Sequence, residues 1–164
     1  MIERNELAVI IGKVIENRGS IDVTCYGNAM FPFLREGNMT TCVRVREEEL
    51  SIGDVCLFGN NEGSLLLYRI IDINDEQQPA LYILRGDTCD RPESPVPFTR
   101  IIGKLAAVHR DGKVIYAYHW KSRLLEVAVL QIPYWSKLLR WTAKRRFDRT
   151  LSYDTSMLDI DKNW

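Results

Sequence analysis

Few residues of this chain have chemistry to offer. Its four cysteines, Cys25, Cys42, Cys56 and Cys89, show no CxxC spacing, and there are only two histidines, His109 and His119. Zinc draws its ligands from closely spaced Cys, His and carboxylates, so no metal centre is expected, and no cofactor. Thr24 and Cys25 are of nucleophile type, but a hydroxyl or thiol attacks an amide only when a neighbouring base takes its proton, and no Lys or His adjoins either. Cys25 alternates with Ile21 and Val23, which places it on the apolar face of a strand. Buried structural thiols are the expectation for the cysteines, and ordinary structural roles for the histidines. What stands apart is "CYGNAMFPFLREGN", residues 25–38. Gly27, Met30 and Pro32 build a specific bend after a strand-like run, and its apex is a bare methyl group, Ala29.

Gly27-Asn28-Ala29-Met30-Phe31-Pro32 resembles the Gly-x-Ser-Met-x-Pro segment that carries the nucleophile in the superfamily of type I signal peptidases and self-cleaving LexA-like repressors. Further motifs follow in the same order over roughly residues 20–116. "LREGN" (34–38) is similar to the family's Leu-x-x-Gly-Asp, with Asn38 where Asp is usual; Asn keeps the turn hydrogen bonding but loses the charge. "LSIGDV" (50–55) resembles its second Gly-Asp strand start, and "LYRIIDI" (67–73) the segment with the general base. "RGDTCD" (85–90) resembles the late Gly-Asp motif and "IIGKLAAVHRDGK" (101–113) the closing strand and hairpin. The resemblance implies a serine nucleophile at position 29, a base at position 68 before Arg69, and backbone N–H donors for an oxyanion. It also implies substrate contacts at Gly27, Asn28, Met30, Phe31 and Pro32.

The sequence departs from that pattern at both chemical positions. Ala29 has nothing to attack with, and Tyr68, with an ordinary pKa near 10, would be ionised to only about 0.1% near pH 7. Losing one member of such a unit costs on the order of 10⁶-fold in rate. One explanation is an active serine endopeptidase captured as a Ser-to-Ala variant at position 29; the other is a natural loss of catalysis. Tyr68 favours the second, because a knockout needs one substitution and a lineage freed from catalysis loses both groups. The expected function is therefore a catalytically inactive peptidase-like protein that binds an extended peptide or protein segment at a vestigial groove. Strand addition at a sheet edge needs main-chain groups and pockets, not a hydroxyl. Met30, Phe31 and Phe33 are candidates to line such a pocket, although Phe33 fits simple core packing equally well.

The elements that must position these residues are legible from periodicity. Asn5 can cap a helix with Leu7, Ile10, Ile11, Val14 and Ile15 on one stripe, ending at Asn17, Arg18 and Gly19. A period of two then gives strands at 20–26, 40–46, 54–58, 64–73, 80–84, 98–109 and 113–119. Asp111-Gly112 is the strongest hairpin signal. The expected fold is mainly β, a signal peptidase/LexA-like twisted, partly closed β-structure with an N-terminal helix and a C-terminal helical extension. The divisions are an N-terminal amphipathic helix (1–19), a peptidase-like β domain (20–120), a helical extension (121–149) and a weakly periodic tail (150–164) compatible with disorder.

The 164 residues carry 22 Lys and Arg against 22 Asp and Glu, so the whole-chain balance points to no polyanion. A local basic excess in "YWSKLLRWTAKRRFDR" (134–149) follows Pro133. Such a helix can pack its apolar side on the β domain, or lie on an anionic membrane surface as a surface-association module. Nucleic acid ranks last as a partner, for want of a reading motif. The first twenty residues lack the basic start and unbroken apolar run of a signal peptide, and no stretch has the length of a membrane span. A cytoplasmic location is expected.

Overall fold

The computed structural model describes residues 4–76 and 78–117. His119, the helical extension over 121–149 and the tail over 150–164 lie outside the described residues. Helix α1 (Arg4–Arg18) leads into strands β1 (Ser20–Thr24), β2 (Met39–Val43), β3 (Val55–Gly59), β4 (Leu65–Asn74), β5 (Leu81–Arg85), β6 (Val96–Pro97), β7 (Ile101–Arg110) and β8 (Lys113–Tyr116). The fold of these residues is mainly β, as expected. No helix among them is long and apolar enough to cross a membrane.

All pairings are antiparallel, in the order β1-β2-β7-β3-β4-β5-β6, with β8 added to β7. The ten-residue β7 carries β2 on one edge, while β3 and β8 take successive lengths of the other. Two edges are left without a strand among the described residues: the outer edge of β1, and the first half of β4 on the side where β5 joins only from Arg69 onward. Asp111 and Gly112 close the β7–β8 hairpin with φ of 51° and 71°, the left-handed pair that a two-residue turn needs.

Strand β3 explains why the core has two halves. Its sequence, VCLFG, is apolar at every position and its first four residues are buried. Alternation sends Val55 and Leu57 to one side, with Ile11, Ile15, Met30, Leu34 and Leu105, and sends Cys56 and Phe58 to the other, with Ile70, Tyr82 and Leu84. Tyr68 packs against both clusters. A half-exposed strand would have alternated apolar and polar residues instead.

The helix stripe is narrower than its sequence suggests. Ile11 and Ile15 are buried, but Leu7 and Ile10 are 43% and 46% exposed. The helix meets β1, β3 and β7 along one line, so residues off that line stay in solvent. Gly103 of β7 makes the contact close: a Cβ there would come within 2.8 Å of both Ile15 Cδ1 and the Val43 carbonyl oxygen. Several strands also differ at one end from what periodicity predicts. The strand expected over 98–109 begins at Ile101, because Phe98–Arg100 coil into a 3-10 turn. The first strand stops at Thr24, where the chain turns into the bend.

Gly103→Ala should therefore destabilise the protein by about 1–3 kcal/mol, the usual cost of overpacking. Urea denaturation checks this, and an unchanged midpoint would show that α1 can lift from the sheet freely.

Candidate functional site

The bend is stitched at its base and held at its apex. At the base, Cys25 N donates to the Asn38 carbonyl at 2.8 Å and Gly37 N to the Cys25 carbonyl at 2.9 Å. Gly27 and Gly37, at φ 77° and 78°, turn the chain out and back. Inside the loop, Phe31 N donates to the Asn28 carbonyl at 3.1 Å and Leu34 N to the Met30 carbonyl at 2.9 Å. Asn38 Oδ1 accepts from Arg35 N at 3.2 Å and from Arg110 Nε at 3.1 Å, so the uncharged residue does keep the turn. Arg110 also donates to the Phe33 carbonyl, which ties the loop to the end of β7.

The apex is held from the other side by the turn after β5. Thr88 N donates to the Ala29 carbonyl at 2.9 Å, and Thr88 Oγ1 lies 3.1 Å from the carbonyls of both Asn28 and Ala29. That turn is fixed in turn by Asp87, which accepts two hydrogen bonds of 2.8 Å from Arg69 of β4. The pair is fully buried, and the third arm of Arg69 donates to the Gly53 carbonyl at 2.9 Å. Gly86 gives the turn its clearance, since a Cβ there would stand 2.9 Å from the Ala29 carbonyl and 2.7 Å from Cys89 Sγ. The N–H groups of Ala29 and Met30 have no acceptor among the described residues.

Ala29 opens into a groove of about 730 Å³. It is lined by Val23 to Tyr26, the end of β1 and its continuation, and by Gly63 to Tyr68, which includes the start of β4. These are the two strand segments that lack an outer partner. Leu34 and Leu57 form the floor, and Leu7 and Ile11 of α1 close one flank. Of the residues singled out in the sequence, Gly27, Asn28, Ala29, Met30 and Tyr68 line this groove together. Phe31 and Pro32 do not; they form the back of the bend, where Phe31 stacks under the Arg35 guanidinium at 5.9 Å. Phe33 is core, beneath Arg69 at 5.8 Å.

The titrating groups of the site are poor in base character. Burial, then the neighbouring Cys89 side chain 3.9 Å away, and after it Glu93, push the Tyr68 hydroxyl above its ordinary pKa. Tyr68 therefore stays a neutral phenol well past pH 7 and takes no proton from a neighbour. Cys25 faces inward toward Thr40, and burial raises its pKa too. Burial pushes Cys42 up to about 12 and raises Cys56 as well. Cys89 is the correction to the expectation of four buried thiols: it is only half-buried, beside Tyr68. Thr41 Oγ1 gives its one proton to Asp22 Oδ1 at 2.6 Å and so accepts from His109 Nε2 at 2.9 Å, outside the groove lining.

Thr88, Cys89 and Arg110 are site residues that sequence reasoning missed. The "RGDTCD" motif was legible, but only the contacts of Thr88 with Ala29 and of Cys89 with Tyr68 reveal why its fourth and fifth residues matter. No protein-family model, curated protein or solved structure matches the chain.

Two outcomes follow from this geometry. At pH 8, a thiol reagent read by intact-protein mass should label Cys89 first and the other three cysteines only on unfolding; equal rates at all four would contradict the burial. Asp87→Asn leaves the Arg69 charge buried without its partner and should cost about 3–5 kcal/mol in denaturant titration.

Proposed function

We propose that the chain is a signal peptidase/LexA-like protein without catalysis, which binds an extended peptide or protein segment at the groove beside Ala29. One observation carries this reading: the apolar groove at the bend is flanked by two strand edges, β1 and early β4, that have no strand partner among the described residues. A peptide laid between them can hydrogen-bond through its main chain on either side, with alternate side chains turned into the groove. The N–H groups of Ala29 and Met30, which have no acceptor among the described residues, offer further donors to a ligand carbonyl. The ordered motifs from Gly27 to Gly112 support the family, and Ala29 with the protonated Tyr68 supports the loss of chemistry.

Selection of a random peptide library on the full chain should enrich linear peptides. N-methylation at alternate positions of an enriched peptide should weaken binding about 2–12-fold per lost hydrogen bond, and indifference to methylation would exclude strand pairing. Ala29→Ser should remain without turnover while Tyr68 is in place, and Ala29→Ser with Tyr68→His is the variant expected to regain cleavage. Cleavage by Ala29→Ser alone would establish the opposite reading, an active endopeptidase captured with alanine at position 29.

A further inference from the structure

Main-chain pairing along two strand edges accepts almost any sequence, so discrimination in such a groove has to come from what the ligand's side chains meet. In this chain they meet a helix. Leu7 and Ile11 lie four residues apart on one face of α1 and both line the groove. Ile11 is 9% exposed and packs with Met30, Leu34 and Leu57, which anchors that end of the pair in the core. Leu7, one turn earlier, is 43% exposed. The pair thus runs from the core to the mouth of the groove, and its outer member is a large aliphatic group left in water.

The chemistry of the lining is equally one-sided. Among the eighteen described residues that line it there is no Lys, Arg, Asp, Glu or His; the polar ones are neutral, and Tyr68 is held protonated by its burial. A charged ligand side chain would leave water there without a counter-charge, which costs several kcal/mol. A methyl-sized side chain would leave much of a 730 Å³ space without contact, forfeiting the dispersion energy that a close fit provides. A bulky aliphatic or aromatic side chain satisfies both conditions, and it would cover the exposed flank of Leu7.

We propose that α1 is the selector of this groove: it admits an uncharged peptide segment that places a bulky apolar side chain against Leu7 and Ile11. The inference rests on the peptide-binding reading above and adds which peptides bind and which residue decides it. Leu7 is the residue to change, because its exposure lets it vary without opening the core.

The probe is a phage-displayed library of random nonamers, selected separately on the full-length protein and on Leu7→Ala, Leu7→Trp and Leu7→Glu variants whose thermal melts match the parent. The parent should enrich peptides with Leu, Ile, Met or Phe at one fixed position and no charge beside it. Leu7→Ala should move that position toward Phe and Trp, Leu7→Trp toward Ala and Val, and Leu7→Glu should admit Lys or Arg. Synthetic peptides carrying the parent's preferred residue should bind Leu7→Trp at least about 10-fold more weakly. Identical enrichment by all four proteins would overturn the selector role while leaving peptide binding intact. If none of the four enriched any peptide, the peptide-binding reading itself would fall, and the selector with it.

Discussion

Arg69 and Asp87 leave water together, and the geometry of the bend depends on that. Two charges in the interior are tolerable only when they are paired and their remaining donors are satisfied, and here the two 2.8 Å bonds and the contact to the Gly53 carbonyl meet that condition. The arrangement does more than neutralise. Arg69 sits where β4 changes its neighbour from β3 alone to β5 as well, so the ion pair locks the turn after β5 onto the middle of β4. Thr88, the next residue, then hangs over the bend and grips the carbonyls of Asn28 and Ala29. A buried charge pair adds little net stability, but it admits one geometry, and that geometry is transmitted through Thr88 to the apex of the loop.

Two further constraints complete the mount. Arg110 and Asn38 hold the rear of the loop to the end of β7, and Gly86 allows the late turn to approach without a side chain in the way. The result is an apex that is fixed, accessible from the groove and supplied with amide donors, yet has only a methyl group to present. Tyr68, the titratable β4 side chain in the groove lining, is kept neutral by burial and by Cys89. The position of a residue and its chemistry are separable: the bend holds position 29 in a fixed place whatever side chain stands there.

Much of the fold was legible in the sequence because strand periodicity and turn chemistry are local. The alternation in β1, β2 and β5, the Asp111-Gly112 hairpin and the glycines of the bend depend on residues within a few positions of one another. The misses came where tertiary contact overrode the pattern. Leu7 and Ile10 belong to an apolar stripe by spacing, but α1 rests on the sheet along too narrow a line to bury them. Phe31 and Pro32 share the bend with Ala29 but are not in the lining of the groove it opens into. Cys89 looked like one more core thiol and lies beside Tyr68, about sixty residues in sequence from the loop it adjoins.

The sequence by itself determined the β-rich architecture, the bend at 25–38 and the absence of a nucleophile at its apex, because each follows from side-chain type and near-neighbour spacing. Only the tertiary structure decided that the outer edge of β1 and the first half of β4 line one groove, and that α1 supplies its apolar flank. Of those relations, the first joins residues more than forty positions apart. They are set by how an antiparallel sheet curves and which strands it leaves unpaired, which no local pattern encodes.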